Sequence, residues 1–547
     1  MTTAADTPYL IVGAGPVGLT AARLLANAGR RCVIVERRDG PQRNPAAHVV
    51  NARTLEIFRQ AGVDMASIAA ISQSPDDAGH VNFLTRLNGR LIGRLPFERQ
   101  GDDCLAHTPL PLRNISQHRL EPLLSAEVGA LAEVDLRYRS EWVSGSQTDD
   151  GVTSVIRDLR TGEETAITSR YVFAADGAGS DIRRWLGIEM IGPAGIQSFV
   201  TIHVRANLRH LVEHRPGVLH FVMDPETPGT FVAHDVDHDW VFMTAFDPMT
   251  ESADDYGPER CARIVMAAIG DDQTAIEVIG SGTWHMTAQV AESMRDRRVF
   301  LMGDAAHRFP PTGGMGLNTG VADAHNLIWK VLAVEDGWAS ASLLESYEAE
   351  RRPIAEINCH QSLSNAFKMV LLAQALDLRP GSSSADLEAV LADPTRAESI
   401  AAAVNEQAAH FDMLGLQIGY VYGDTTDQRG RDPGEFTPTA VVGSRVPHGW
   451  LGDGRSTLDL VEASTFTLLT CGGHDTWHDA VSQLEIPVRH VALGADVSVE
   501  ASWADQCGLG PDGALLVRPD QHIAWRSAAI VPDAVDDLVR AARGYAG

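Results

Sequence analysis

Lysine is almost missing from this chain. Among 547 residues it stands only at Lys330 and Lys368, and arginine carries the rest of the positive charge. Lys and Arg together number 45 against 72 Asp and Glu, a formal charge of −27 at pH 7. A field of that sign repels polyanions, so neither nucleic acid nor an anionic membrane surface is an expected partner. Cysteine is sparse too. Cys32, Cys104, Cys261, Cys359, Cys471 and Cys507 lie far apart and form no CxxC pair. A zinc site or a disulfide framework is therefore not expected, and no metal is assigned. No apolar run reaches the ~18 residues of a membrane span. The opening residues lack the basic stretch and apolar core of a secretory leader. These absences predict a soluble, cytoplasmic protein.

What is present suits a folded, multidomain chain. Hydrophobic residues make up 44% and charged residues 21%, as in ordinary globular proteins. Tyr9-Leu10-Ile11-Val12 is wholly apolar, as expected of a strand buried on both faces. Gly13-x-Gly15-x-x-Gly18 follows and opens a helix that Gly29 stops, and Cys32-Val33-Ile34-Val35 forms a second strand ended by Glu36. In this βαβ unit Gly13 permits the turn, Gly15 lets the backbone approach a pyrophosphate, and Gly18 lets helix and strand pack closely. The helix N-terminus offers free N–H groups to the phosphates, and Glu36 stands where a carboxylate accepts bonds from a ribose diol. Dinucleotide binding follows.

Short alternating runs near 80–105 and over 185–290 predict an antiparallel sheet inserted between pieces of the first domain. Its strands include Phe221-Val222-Met223 and Trp240-Val241-Phe242-Met243, where Trp240 and Phe242 read as core rather than pocket. From 318 to about 334 the pattern turns helical, with Val321, Ala324, Ile328 and Val331 on one face. Further helices are predicted over 340–352 and 362–378, a loop at 380–384 and a linker at 432–438. Beyond about Gly443 strands and helices alternate as a compact α/β unit. The fold class is α/β.

A second motif decides which dinucleotide. Arg298-Val299-Phe300-Leu301-Met302-Gly303-Asp304-Ala305-Ala306-His307 puts Asp304 at the carboxyl end of a strand, where such sheets bind ligands. The Pro- and Gly-rich loop through Pro311 then leads to the helix at Gly316-Leu317-Asn318. Its N–H groups suit the negative charge of a reduced flavin. This stretch resembles the flavin motif of single-component FAD-dependent aromatic hydroxylases, the p-hydroxybenzoate hydroxylase-like family. Ala175-Asp176-Gly177-Ala178-Gly179-Ser180-x-x-Arg183 is similar to the family's DG motif, and Tyr347-Glu348-x-Glu350-Arg351-Arg352-Pro353 also matches. Leu414 to Tyr422, Pro447-His448 and Leu516 to Arg526 resemble the thioredoxin-like C-terminal domain of the phenol, chlorophenol and polyketide hydroxylase branch.

The resemblance implies a Rossmann-like FAD-binding domain in two parts, 1–184 (with the sheet insertion near 80–105) and 291–410. It also implies a substrate-binding sheet domain over 185–290 and a thioredoxin-like domain over 411–547. Gly13, Gly15 and Gly18 would hold the FAD pyrophosphate, Glu36 the adenosine ribose, and Arg37 the adenine side. Gln117 and Asp304 would reach the ribityl chain, and Asp176 belongs to the DG motif. Pro311, Gly316, Leu317 and Asn318 would surround the isoalloxazine. NAD(P)H reduces FAD in this family, and O₂ supplies the oxygen placed on an electron-rich ring. The expected partners are a small aromatic substrate and O₂, with a homodimer left open as the assembly.

No catalytic base is assigned. His234, His238 and His285 lie in or near the inserted sheet but read first as surface or core histidines. His307 reads as loop packing, His325 as structural, and Arg53 equally as a family position or an ion-pair partner. Cys471 has no second thiol near it in sequence, so the C-terminal unit is not expected to do thiol redox chemistry. The alternatives are a hydroxylase of a larger aromatic polyketide, or a non-catalytic protein that keeps FAD to sequester a ligand.

Overall fold

The computed structural model describes residues 5–423 and 432–546. The start of the chain, residues 1–4, where no leader is expected, lies outside them.

The chain opens with β1 (Ala5–Val12), α1 (Pro16–Asn27) and β2 (Cys32–Glu36), then α2 (Ala52–Gln60). β3 (His80–Leu84) and β4 (Leu91–Pro96) come next, followed by α3 (Gln117–Gly129), β5 (Val134–Tyr138) and β6 (Glu164–Ala174). The middle of the chain holds β7 (Gln197–Arg205), β8 (Leu219–Val222), β9 (Gly229–Asp235), β10 (Asp239–Ala245), α4 (Pro258–Ile269) and β11 (Glu277–Met286). β12 (Val299–Leu301), α5 (Met315–Glu335) and α6 (Ser346–Ala375) complete the first two-thirds.

The apolar run at the chain start becomes the centre of a parallel sheet. Its order is β12–β6–β1–β2–β5, and every pair along it is parallel. Tyr9, Leu10 and Ile11 are buried because helices cover both faces. α1 leaves the sheet at the tight turn. A Cβ on Gly13 would collide with the Ala175 carbonyl oxygen, and one on Gly18 with that of Gly13, so only glycine closes this strand-to-helix step.

The inserted sheet runs β11–β7–β10–β9–β8–β3–β4. The expected antiparallel arrangement holds except at β8–β3, which is parallel. No hairpin joins those two strands, because they come from distant parts of the chain, so nothing local sets their direction. One face of this sheet (Val200, Ile202, Phe231, Trp240, Phe242) packs with α4 into a closed core. On the other face Val81, Phe83, Leu219, Val232 and Val241 pack in part against Leu372 of α6 and against Phe411.

Where two helices are predicted over 340–352 and 362–378, the structure has a short 3₁₀ turn (Ala341–Glu345) and then α6 as a single helix containing Pro353. An interior proline costs about 3 kcal/mol in helix propensity. Here Pro353 is exposed, and flanking Arg351, Ile354 and Ala355 are buried, so packing on the inner face carries the helix through.

The C-terminal unit comprises β13 (Phe466–Thr470), α7 (His474–Val481), β14 (Val488–Ala492), β15 (Ala514–Val517), β16 (Ile523–Ser527) and α8 (Ala534–Arg543). Its order is β14–β13–β15–β16, with the first pair parallel and the others antiparallel. Its core is continuous with α5, since Trp329 packs edge-on against Phe466 with ring centroids 5.8 Å apart.

Candidate active site

Two helix N-termini lie close together, with Val17 of α1 against Gly303 and Gly320, and neither has a side-chain cap. The N-cap of α1 is Gly15 and that of α5 is Gly314, so their first N–H groups find no side-chain acceptor. A Cβ on Gly15 or on Gly316 would meet nothing within 4 Å. Open space before an uncapped helix end is what an anionic, flat-ringed ligand requires. Gly314 is itself in the left-handed region (φ 61°), and a Cβ there would strike Val49, so the turn into α5 is pinned as well.

Carboxylates stand near these helix ends. Glu36, at the end of β2, accepts from the Ala14 N–H (2.9 Å) and from the Arg38 backbone N–H (2.9 Å) and side chain (3.1 Å). Burial opposes its ionisation, but the Arg38 bonds hold it below the usual carboxylate range. Arg38 thus fixes Glu36, while Arg37 is exposed beside it. Asp176 is pushed up by burial, and its Oδ1 is buried without a partner among the described residues. Asp304 is exposed, and the protein atoms crowding its carboxyl raise its pKa. Asp176 Oδ1 and the Asp304 carboxyl are left for hydroxyls that the described residues do not supply, beside a Glu36 already held by Ala14 and Arg38, and the set fits FAD.

Other expected residues take supporting roles. Gln117 begins α3 and donates to Glu121 (3.1 Å). The Asn318 side chain bonds the Asn51 N–H (2.9 Å), the Thr54 hydroxyl (2.7 Å) and the Val49 carbonyl (2.9 Å), tying the start of α5 to α2. Pro311 is exposed, and Leu317 is half-buried. His307 packs the loop, as expected: it is buried, stacks on Phe309, and bonds Asp323 at 2.7 Å. His325 and Arg53 are buried and structural. Arg53 pairs with Glu56 (3.1 Å) and reaches the Asp520 carbonyl (2.8 Å), so the ion-pair reading holds.

The sheet face opposite α4 carries a row of half-buried side chains. Phe199, Thr201, Phe221, Thr230, Met243 and Trp284 all lie on it, half-buried. Trp284 stacks on Phe199 (4.8 Å between centroids) and donates to Thr201 (2.9 Å). Trp240 and Phe242 point to the opposite, closed face, in line with the core reading.

On and beside this sheet lies a histidine cluster that the sequence does not announce. His118 and His203 flank Asp239 at 3.0 and 2.7 Å. Burial opposes ionisation of Asp239, but these two bonds hold its carboxyl well below the usual range. His234 is buried, with its ring about equidistant from His48 (5.9 Å) and His118 (6.0 Å). Burial, then His48, drives its pKa well down. His238 and His285 are exposed, and His285 bonds Ser198 (2.8 Å).

His48, like His118 and His203, keeps some open surface. Burial lowers its pKa to about 4, so it is neutral at ordinary pH. Its tautomer follows from a chain of bonds. Gln100 donates its amide to the Ala78 and Phe97 carbonyls, which turns its oxygen to the Asn114 amide (3.2 Å). The Asn114 oxygen then accepts from His48 Nδ1 (3.1 Å). The proton sits on Nδ1, and Nε2 is left to accept. A lone histidine before Val49-Val50 has no periodicity to mark it, and its partners come from remote segments.

Residues 6–362 match the FAD binding domain family, and residues 439–547 match the aromatic-ring hydroxylase C-terminal family. A putative polyketide hydroxylase of Streptomyces halstedii is 33% identical, the alignment covering 96% of this chain and 94% of that one. A 2,4-dichlorophenol 6-monooxygenase of Cupriavidus pinatubonensis is 31% identical over 99% and 96%. The crystal structure of the flavin-dependent monooxygenase PieE in complex with FAD and substrate superposes with a TM-score of 0.91 at 31% identity, covering 98% of this chain and 99% of that one. Uncapped glycine helix ends, orphaned carboxylates and matches over both parts of the chain converge: the chain belongs to the FAD-dependent aromatic-ring hydroxylases, the single-component flavoprotein monooxygenases.

Proposed function

We propose that this chain hydroxylates a phenol-like aromatic ring at the expense of NAD(P)H and O₂, and that His48 receives the ring hydroxyl. Gly13, Gly15, Gly18 and the first turn of α1 would hold the FAD pyrophosphate, Glu36 the adenosine ribose, and Arg37 the adenine side. Gln117 and Asp304 would hold the ribityl chain with Asp176 nearby, and Pro311, Gly316, Leu317 and Asn318 the ring system. Bound FAD supplies the redox chemistry, taking electrons from NAD(P)H and activating O₂. The substrate ring would lie on the face of Phe199, Phe221, Met243 and Trp284, which excludes water and fixes its orientation.

The observation that carries this reading is His48: an uncharged imidazole with Nδ1–H held by Asn114 and Nε2 without a partner among the described residues. An acceptor there can take a hydrogen bond from the ring hydroxyl, which orients the ring and adds to its electron density. The parts of the chain would divide the work as 1–184 and 291–410 for FAD, 185–290 for substrate and 411–547 for support. A homodimer in the cytoplasm completes the reading. A larger, polycyclic substrate is the second reading. It is favoured by the platform's breadth from β11 to β8, about 19 Å at ~4.8 Å per strand.

The test is His48→Ala in protein loaded with FAD. Loss of one hydrogen bond to the ring hydroxyl costs about 0.5–1.5 kcal/mol, roughly 2- to 13-fold in rate. We expect kcat to fall in that range with FAD content unchanged. A rate equal to the parent's on the best substrate would remove His48 from the mechanism.

A further inference from the structure

Hairpin tips are normally solvated, because their backbone and polar side chains need water. The tip between β15 and β16 is the reverse. Arg518, Asp520, Gln521 and His522 are 3%, 1%, 1% and 1% exposed. Gln521 also adopts a left-handed backbone (φ 64°), a strained choice for a residue other than glycine. The C-terminal unit thus inserts a charged, bent tip into a slot between α2, α5 and α6.

Every charge in the slot is matched. Arg518 donates to both oxygens of Glu350 on α6 (2.7 and 2.8 Å) and to Asp520 (3.0 Å). Glu350 also accepts from Lys330 (2.7 Å) and Asn326 (2.7 Å) on α5. From α2, Arg53 grips the Asp520 carbonyl (2.8 Å) and the Gln521 side chain (2.6 Å). Buried ion networks seldom exceed apolar packing in stability, and their best-attested use is to fix register. The register fixed here is that of α5. Its first turn borders the cofactor cleft about 12 Å from Asn326, at 1.5 Å per residue.

A second route runs from the tip to the loop carrying Asp304. The His522 ring lies on the Tyr422 ring, with centroids 4.3 Å apart. The Tyr422 hydroxyl accepts from Arg351 (3.1 Å), the residue after Glu350. Arg351 donates to Asp323 (2.9 Å), and Asp323 accepts from the Gly303 N–H (3.1 Å) and from His307 (2.7 Å). Gly303 and His307 bracket Asp304.

We propose that the Arg518–His522 tip is a positioning element for the flavin loop, acting through Tyr422, Arg351 and Asp323. It rests on the assignment of the 303–318 loop to FAD. The tip does no chemistry itself. It holds rigid elements whose far ends carry the cofactor groups, so its loss reaches the cleft without a direct contact.

The test uses full-length holoenzyme at temperatures where each variant is folded. Tyr422→Phe removes one hydroxyl and keeps the ring stack, and Asp520→Asn keeps shape but breaks the charge balance. We expect each to weaken FAD retention about 2- to 30-fold, the range of coupling along such networks. The bound-flavin absorption spectrum should shift and kcat should fall more than KM rises. Tyr422→Phe should also fail to add to His307→Gln, since both act on Asp323. Parental FAD affinity, spectrum and kcat in Tyr422→Phe, with only the melting temperature lowered, would overturn the proposal, even if Asp520→Asn does not fold. Asp304→Ala serves as the control. If it too leaves FAD retention at the parental level, the assignment of the loop to FAD falls, and this proposal with it.

Discussion

The first turn and the body of α5 meet opposite surroundings. Its first turn begins at a glycine with no capping side chain and faces open space. Three turns later Asn326 and Lys330 are enclosed in a network where every charge has a partner. Both regions are rich in polar groups, yet only one has room beside it. Groups left without partners beside room to fill await a ligand, whereas groups paired on all sides belong to an interface. The same contrast separates Asp304, exposed and pushed up by the protein atoms crowding its carboxyl, from Glu350, held down to about 2 by Arg518 and Lys330 against the effect of burial.

That contrast predicts different failures. Arg351→Met leaves buried Asp323 without its guanidinium, held only by His307 and the Gly303 N–H, and breaking such a pair costs about 3–5 kcal/mol. Urea unfolding should show a loss of that order, with FAD present or absent. A loss below 1 kcal/mol would dissolve the distinction.

Asp304→Ala should behave in the opposite way. A charge-assisted bond is worth about 1.5–3 kcal/mol, or roughly 10- to 150-fold in FAD affinity. The apo-protein should melt no lower than the parent, because Asp304 has no internal partner to lose among the described residues. Equilibrium dialysis and calorimetry separate the two effects.

Mild acid should weaken both regions alike. Burial lowers the histidines His48, His448 and His522 to about 4 and His220 and His410 to about 3. Each unfolded counterpart titrates near 6.5, so the unfolded chain binds more protons in between. Stability present at pH 7 is therefore lost as pH falls from about 6.5 toward 4, by at most about 1.4 kcal/mol per unit per histidine. Glu98, raised to about 8 by burial, works the other way but is one group against several. A urea midpoint that does not drop between pH 7.5 and 5 would contradict this account.

The smallest effect belongs to the thiols. Burial raises both Cys471 and Cys507, and the nearby Cys471 adds to the shift of Cys507, so neither is a ready thiolate. The Cys471→Ser, Cys507→Ser double variant should hydroxylate at the parental rate. A large loss with FAD and folding intact would point to thiol redox chemistry.

Much of this was legible in the sequence, for identifiable reasons. The Gly13 to Glu36 unit, the strand-to-loop turn at Asp304 and the structural role of His307 each lie within one short segment, where spacing alone dictates geometry. The long-range features were not legible. His48, Asn114, His203 and Asp239 come from separate elements and meet only once the inserted sheet docks. Arg38 rather than its neighbour Arg37 grips Glu36, a choice made by side-chain direction. The charged Arg518-Pro519-Asp520 run looks like a solvated turn, and only tertiary packing buries it. Pro353 looks like a helix break because the burial of its neighbours cannot be seen in the string.

The central claim is oxygen transfer to an aromatic ring by the FAD-loaded chain. Phenol-like and polycyclic aromatic compounds should be screened for stimulated NAD(P)H oxidation under isotopically labelled O₂, with mass analysis of the products. The account predicts at least one compound that accelerates oxidation and leaves with one labelled oxygen atom on its ring. Stimulated oxidation that yields only peroxide, with no label in any product, would contradict it.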